Sequence, residues 1–156
     1  MTNENNTNFA KAEMLIRKPV SEVFEAFTNP AITTKFWFTK STGELVVGKK
    51  VEWAWEMYNH TVPVLVKSVD VNKKITIEWG NYDERIEVEW TFKSVNDNST
   101  FVSIVNKGFI GDTTQLISQI RDSTEGFTMV LAGLKAYLEH GLQLNLIADR
   151  FPKGIV

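Results

Sequence analysis

The sequence predicts an α+β protein in which one antiparallel sheet curls around a long C-terminal helix. Two observations carry this reading. Between residues 51 and 106, apolar and polar residues alternate in successive short runs divided by turn-forming residues. From 112 to 140 the apolar spacing becomes helical, and Gly141 follows as a natural stop. A doubly wound α/β plan would alternate strand and helix throughout, and this chain does not.

The elements follow in order. Residues 1–8 are polar and Asn-rich and predict a disordered, frayed start. Residues 9–16 (FAKAEMLI) predict a first strand. Pro19 suits the first turn of a helix, where its missing N–H costs nothing, and Val20, Val23, Phe24 and Phe27 have helical spacing. Pro30 ends that helix or starts another, and a second short helix over about 30–36 would present Ile32, Phe36 and Trp37. After Gly43 and Gly48, residues 51–57 read as a half-buried strand with Val51, Trp53, Trp55 and Met57 on one face. Tyr58, Asn59 and His60 form the turn into a strand over 61–71, where Pro63 argues for an edge position or a bulge. Ile75, Ile77 and Trp79 share one face of the next strand, and a loop runs from Gly80 to Glu84. Residues 85–93 alternate cleanly, with Ile86, Val88, Trp90 and Phe92 inward. Asn96 to Asn98 make a hairpin turn into a last strand over 99–106. Asp112 with Gln115 three residues on has capping-box spacing. The helix that follows is expected to break or thin near Gly126, then to run to His140 with Phe127, Leu131, Leu134 and Leu138 on one stripe. The domain therefore spans 9–141. The tail 142–156 is too apolar to float, so it packs on the domain or on a partner, and it makes a homodimer a reading to test.

Composition narrows function by exclusion. The chain has 156 residues, 43% of them hydrophobic, with no Cys and a net charge of -2. That length suits one domain, able to bury about two-thirds of its extended-chain surface. Without Cys there is no disulfide framework and no thiol nucleophile. Two isolated His give no basis for a transition-metal site, and no cofactor is expected. The near-neutral balance offers no basic field for nucleic acid. There is no signal-type apolar run at the start and no membrane span, so the expected setting is cytoplasmic. Five Trp and ten Phe must fill a core or line something.

Three segments carry a family resemblance. IRKPVSEVFEAFTNP over 16–30, followed by KFW over 35–37, resembles the opening of START-like (SRPBCC, Bet-v-like) domains of the AHSA type, homologues of the activator of a heat-shock protein's ATPase. KITIEW over 74–79, VEWTF over 88–92 and TFVSI over 100–104 are similar to that family's central strands. GFTMVLAGLKAYLEHG over 126–141 is similar to its Gly-aromatic helix. The sequence departs from the pattern at Phe127, where the family has Trp, and in the apolar tail after Gly141. The resemblance implies a helix-grip fold enclosing a cavity for apolar ligands such as lipids or polyketides, or a co-chaperone domain of the stress response with a chaperone partner. Fold does not choose between these.

The candidate site is the inward parity set. Trp53, Trp55, Val64, Ile77, Trp79, Val88, Trp90 and Phe92 would face Phe127, Leu131 and Leu134 on the long helix, with Trp37 closing the mouth. This set describes either the wall of a pocket for a small hydrophobic molecule or a solid core. The opposite faces carry Glu52, Glu56, Lys67, Glu78, Glu87 and Glu89 and read as solvated, which leaves no converging acid pair. His60 has inward parity near the rim and is the one weak candidate for proton transfer in a cyclase-like enzyme. Tyr82, Arg85 and Glu125 are candidate polar anchors at the mouth.

Overall fold

In the computed structural model, residues 8–80 and 85–155 are described. The expectations for residues 1–7 and for Tyr82 lie outside them. Among the described residues the strands and α-helices run in the order β1 (Phe9–Ile16), α1 (Val20–Thr28), α2 (Pro30–Thr33), β2 (Lys40–Ser41), β3 (Lys50–Trp55), β4 (His60–Asp70), β5 (Lys74–Trp79), β6 (Ile86–Asn96), β7 (Ser99–Lys107), α3 (Thr113–His140) and α4 (Leu146–Arg150). The strands form one antiparallel sheet in the order β1-β7-β6-β5-β4-β3-β2, a meander whose last strand is joined by the first. This is the α+β helix-grip arrangement, with α3 held against the concave face.

Register explains why that face is apolar. Val66 pairs with Ile77, Ile77 with Val88, Val88 with Asn106 and Asn106 with Ala10, so the period-2 parity of five strands aligns into one inward row. The outward row pairs Glu78 with Glu87, a like-charge juxtaposition relieved by lysines on neighbouring strands. Lys67 lies 3.6 Å from Glu78, Lys107 3.1 Å from Glu87 and Lys74 2.5 Å from Glu89. These partly exposed pairs add little stability.

Several expectations are corrected by local geometry. The short second helix stops at Thr33 rather than 36. Met57 leaves the strand for a 3-10 turn over Glu56–Tyr58, closed by Asn59 in the left-handed region at φ 50°. Pro63 sits in neither an edge strand nor a bulge: β4 lies between β3 and β5, and the register shift falls at Val66/Ser68. Its carbonyl accepts from Gly80, just past the end of β5 at Trp79, so its missing N–H faces a side where the ladder has run out. Helix α3 does not break at Gly126; it runs unbroken for 28 residues, opened by the Asp112–Gln115 capping box and closed by Gly141 at φ 68°.

The C-terminal half of α3 is fixed to β1 by Lys135, whose Nζ donates to the Leu15 carbonyl (2.8 Å) and to Glu139 (2.7 Å). Glu139 also accepts from the Arg17 amide at 2.9 Å. Burial alone would raise the Glu139 carboxyl, but these two donors outweigh it and hold it below the usual range. At Gly133 the helix touches the chain beyond α2: an added Cβ would lie 3.3 Å from the Cβ and the carbonyl oxygen of Phe36. Gly133→Val is therefore expected to lower stability by about 1–3 kcal/mol through overpacking. A urea-unfolding midpoint equal to wild type would show that this contact is not tight.

Candidate ligand cleft

Trp37 is the centre of the aromatic packing. Its ring centroid lies 4.9 Å from Trp53, 5.9 Å from Trp90, 5.6 Å from Phe127, 6.0 Å from Trp79 and 6.3 Å from Trp55. It is placed there by the turn after α2, where its amide donates to the Thr33 carbonyl. On one side of Trp37 the space between sheet and helix is filled. Trp53 stacks on Phe38 at 4.7 Å, Phe24 meets Phe92 edge-on at 5.3 Å, and Val64, Ile77, Val88, Trp90, Leu131 and Leu134 are buried. These residues of the predicted pocket wall are packed core.

On the other side of Trp37 the grip stays open. Two adjoining cavities of about 350 Å³ and about 600 Å³ share Trp55, Tyr58, Trp79 and Asn106 in their linings. Trp37 and Phe127 line the smaller one, and the exposed His60 lines the larger. The structure thus brings Trp37, Trp55, Trp79 and Phe127 into the lining of a cleft, at the border of a core that holds the other eight predicted residues. Glu125 reaches the tail instead of the cleft lining, and Arg85 lies 3.9 Å from Glu78 on the outer face. The His60 ring lies 5.8 Å from Trp55 and is exposed, and no carboxylate among the described residues holds it.

Asn106 is the cleft residue that sequence reasoning missed. It is 3% exposed and sits in the inward row between Val88 and Ala10. Its Nδ2 donates to Ser123 Oγ on α3 at 2.8 Å, while its Oδ1 has no partner among the described residues. The signal was present: Asn106 shares the parity of Val102 and Ile104, so a polar side chain was pointed at an apolar interior.

The family model described as "Activator of Hsp90 ATPase homolog 1-like protein" matches residues 17–139. The chain belongs to this family. No curated protein gives a significant match. Among solved structures, protein SSP2350 from Staphylococcus saprophyticus is 29% identical with TM-score 0.76, over 87% of this chain and 95% of that one. The Aha1 dimer from Colwellia psychrerythraea is 18% identical with TM-score 0.73, over 85% of this chain and 97% of that one. DynU16, a protein of the dynemicin biosynthetic locus, is 17% identical with TM-score 0.77, over 87% of this chain and 49% of that one. The last two likenesses establish shared fold. Among the described residues, no helix is long and apolar enough to cross a membrane.

In this Hsp90-activator-like chain the tail forms one wall of the cleft. Tyr58 donates its hydroxyl to the carbonyl of Ile147 and approaches that of Ala148 at 3.2 Å. Phe151 meets the Tyr58 ring edge-on at 6.0 Å, and the Arg150 guanidinium lies 4.4 Å above Phe151. Arg150 also donates to Glu125 on α3, so α4 is tied both to the β3–β4 turn and to the helix. The hydrogen bond from Arg150 holds the Glu125 carboxyl below its usual range. A depressed carboxyl pKa contributes stability at pH values above its unfolded value, and that contribution is lost as pH falls through the depressed one. Acidification should therefore loosen α4 while the sheet stays intact, and high salt should weaken the same exposed pair. A protection factor of the Asp149 amide, which donates to the Asn145 carbonyl, that falls on acidification, with that fall removed in Glu125→Gln, is the expected result. An unchanged acid dependence in that variant would assign the effect to another group.

Proposed function

We propose that this chain binds a small apolar or aromatic molecule in the cleft between the sheet and α3. The supporting observation is the open, aromatic-lined space beyond Trp37, bordered by Trp55, Trp79 and Phe127 and walled by the tail. A concave apolar site with few polar groups is the usual form of a small-molecule pocket. The family's fold is consistent with this, and DynU16 belongs to a biosynthetic locus. A cyclase-like reaction through His60 has weaker support, because among the described residues no acid orients its exposed ring.

The test is a thermal melt against a panel of apolar and aromatic metabolites. Saturation at 100 times the dissociation constant stabilises by about 2.7 kcal/mol. For a chain of this size the midpoint should rise by roughly 5–10 °C. A flat panel with a cooperative melt would remove the carrier and cyclase readings together and turn attention to a chaperone-type protein partner.

Self-association is a second reading, favoured by the exposed apolar side chains Leu142, Leu144, Phe151 and Ile155 in one segment. The Colwellia Aha1 structure is described as a dimer. Sedimentation at high concentration that finds only monomer would remove it. A cytoplasmic setting is part of the proposal, in keeping with a chain that carries no Cys.

A further inference from the structure

Helix α4 is tied to both sides of the cleft. On the sheet side, the Tyr58 hydroxyl donates to the Ile147 carbonyl from the turn between β3 and β4. On the helix side, Arg150 donates to Glu125 of α3. Ile147 and Phe151, the C-cap of α4, belong to the lining of both cavities. This strap is lightly held. The nine residues of α1 bury four side chains, whereas the five of α4 bury none. Within it the Asp149 amide donates to the Asn145 carbonyl at 2.9 Å, and Asn145 supplies no side-chain cap. So short a helix does not persist alone in water, and its docking decides whether it stays formed. That docking leaves apolar area uncovered: Ile147 is only partly buried and Phe151 is 59% exposed. The family match ends at residue 139, so the strap lies outside the matched segment.

Resting on the ligand-binding reading, we infer that α4 closes over an occupied cleft: a ligand covering Ile147 and Phe151 tightens the strap, and the Arg150–Glu125 latch then retains the ligand. The driving force is the apolar area of those two side chains, removed from water when the cleft is filled. The coupling is reciprocal, so the affinity that the seated strap adds for the ligand equals the stability that the ligand adds to the strap. The cleft is open when empty. Closure therefore follows entry, and the latch governs dissociation and leaves association alone.

The probe is N-phenyl-1-naphthylamine, a neutral fluorescent aromatic molecule, and its uptake and release by the whole chain are followed by stopped-flow energy transfer from tryptophan. Glu125→Lys sets two cations against each other at the latch, at a position outside the lining of both cavities. Dissociation should become about threefold faster, the scale of one partly exposed ion pair, with association unchanged. Combining Glu125→Lys with Arg150→Glu reverses the pair and should bring slow dissociation back. A second measurement needs no variant: saturating probe should raise the protection factor of the Asp149 amide in the wild type about fivefold, the low end of coupling between sites. Unchanged dissociation in Glu125→Lys, or an Asp149 amide no better protected with the probe bound, overturns the strap and leaves a cleft with a fixed wall. Association and dissociation that accelerate together would make α4 an entry gate and overturn closure after entry. If neither this probe nor naphthalene binds the wild type, the ligand-binding reading falls and the strap falls with it.

Discussion

Gly126→Trp is expected to abolish ligand binding in a protein that melts at or above the wild-type temperature. Gly126 is a mid-helix residue of α3 on the cleft wall, and an added Cβ there meets nothing within 4 Å. Glycine inside a helix is about 1 kcal/mol less favourable than alanine, so any side chain that fits should recover part of that. Gly126→Ala isolates this effect and should raise the midpoint by roughly 2–4 °C with binding retained. The indole of Gly126→Trp would instead occupy the space between Trp55, Trp79 and the tail. Loss of the ligand-induced shift, beside an unchanged far-ultraviolet spectrum and a cooperative melt, separates a filled cleft from a broken fold. Binding with wild-type affinity in that variant would place the ligand elsewhere. The same glycine explains why the sequence suggested a helix break: its low propensity is a local cost, overridden because Asp112, Gln115 and Gly141 cap the ends and the flanking apolar stripe is buried.

What was legible in the chain was periodicity. The parity of β3 to β7 identified the inward set because two-residue alternation has only two phases, and one of them was charged. The order of elements followed from the turn residues between them. The cleft was not legible for a specific reason. Parity places Trp53 and Trp55 on the same face, yet Trp53 lies under Trp37 and Phe38 while Trp55 borders open space. The difference depends on where the turn after α2 delivers one indole, a tertiary fact that alternation does not encode. Pro63 shows the same limit: a rule about donors was right in direction, but the donor-free side was supplied by the early end of β5 and not by an edge strand. Asn106 was visible to the same parity that found its neighbours, since it continues the inward phase of Val102 and Ile104.

Trp37→Ala is expected to be the most damaging single truncation. Trp37 is 7% exposed and touches aromatic rings from β3, β5, β6 and α3. Removing it deletes a large buried side chain and leaves a space that rigid neighbours such as Trp53 cannot fill. Buried Trp→Ala changes cost about 3–5 kcal/mol, a large part of the total stability of a domain. Trp37→Phe keeps an apolar ring on the same floor and should cost clearly less. The sharper consequence concerns the cleft. The vacated volume would join it, lined by aromatic carbon, and dry cavities of that kind take up apolar molecules. Saturating naphthalene should therefore raise the melting point of Trp37→Ala more than that of the wild type. Trp37 would then be the partition between core and cleft. A cost below about 1 kcal/mol would show that the neighbours close over the gap and that Trp37 merely covers it. A large cost with no extra response to naphthalene would keep Trp37 as a core residue and detach it from the binding site.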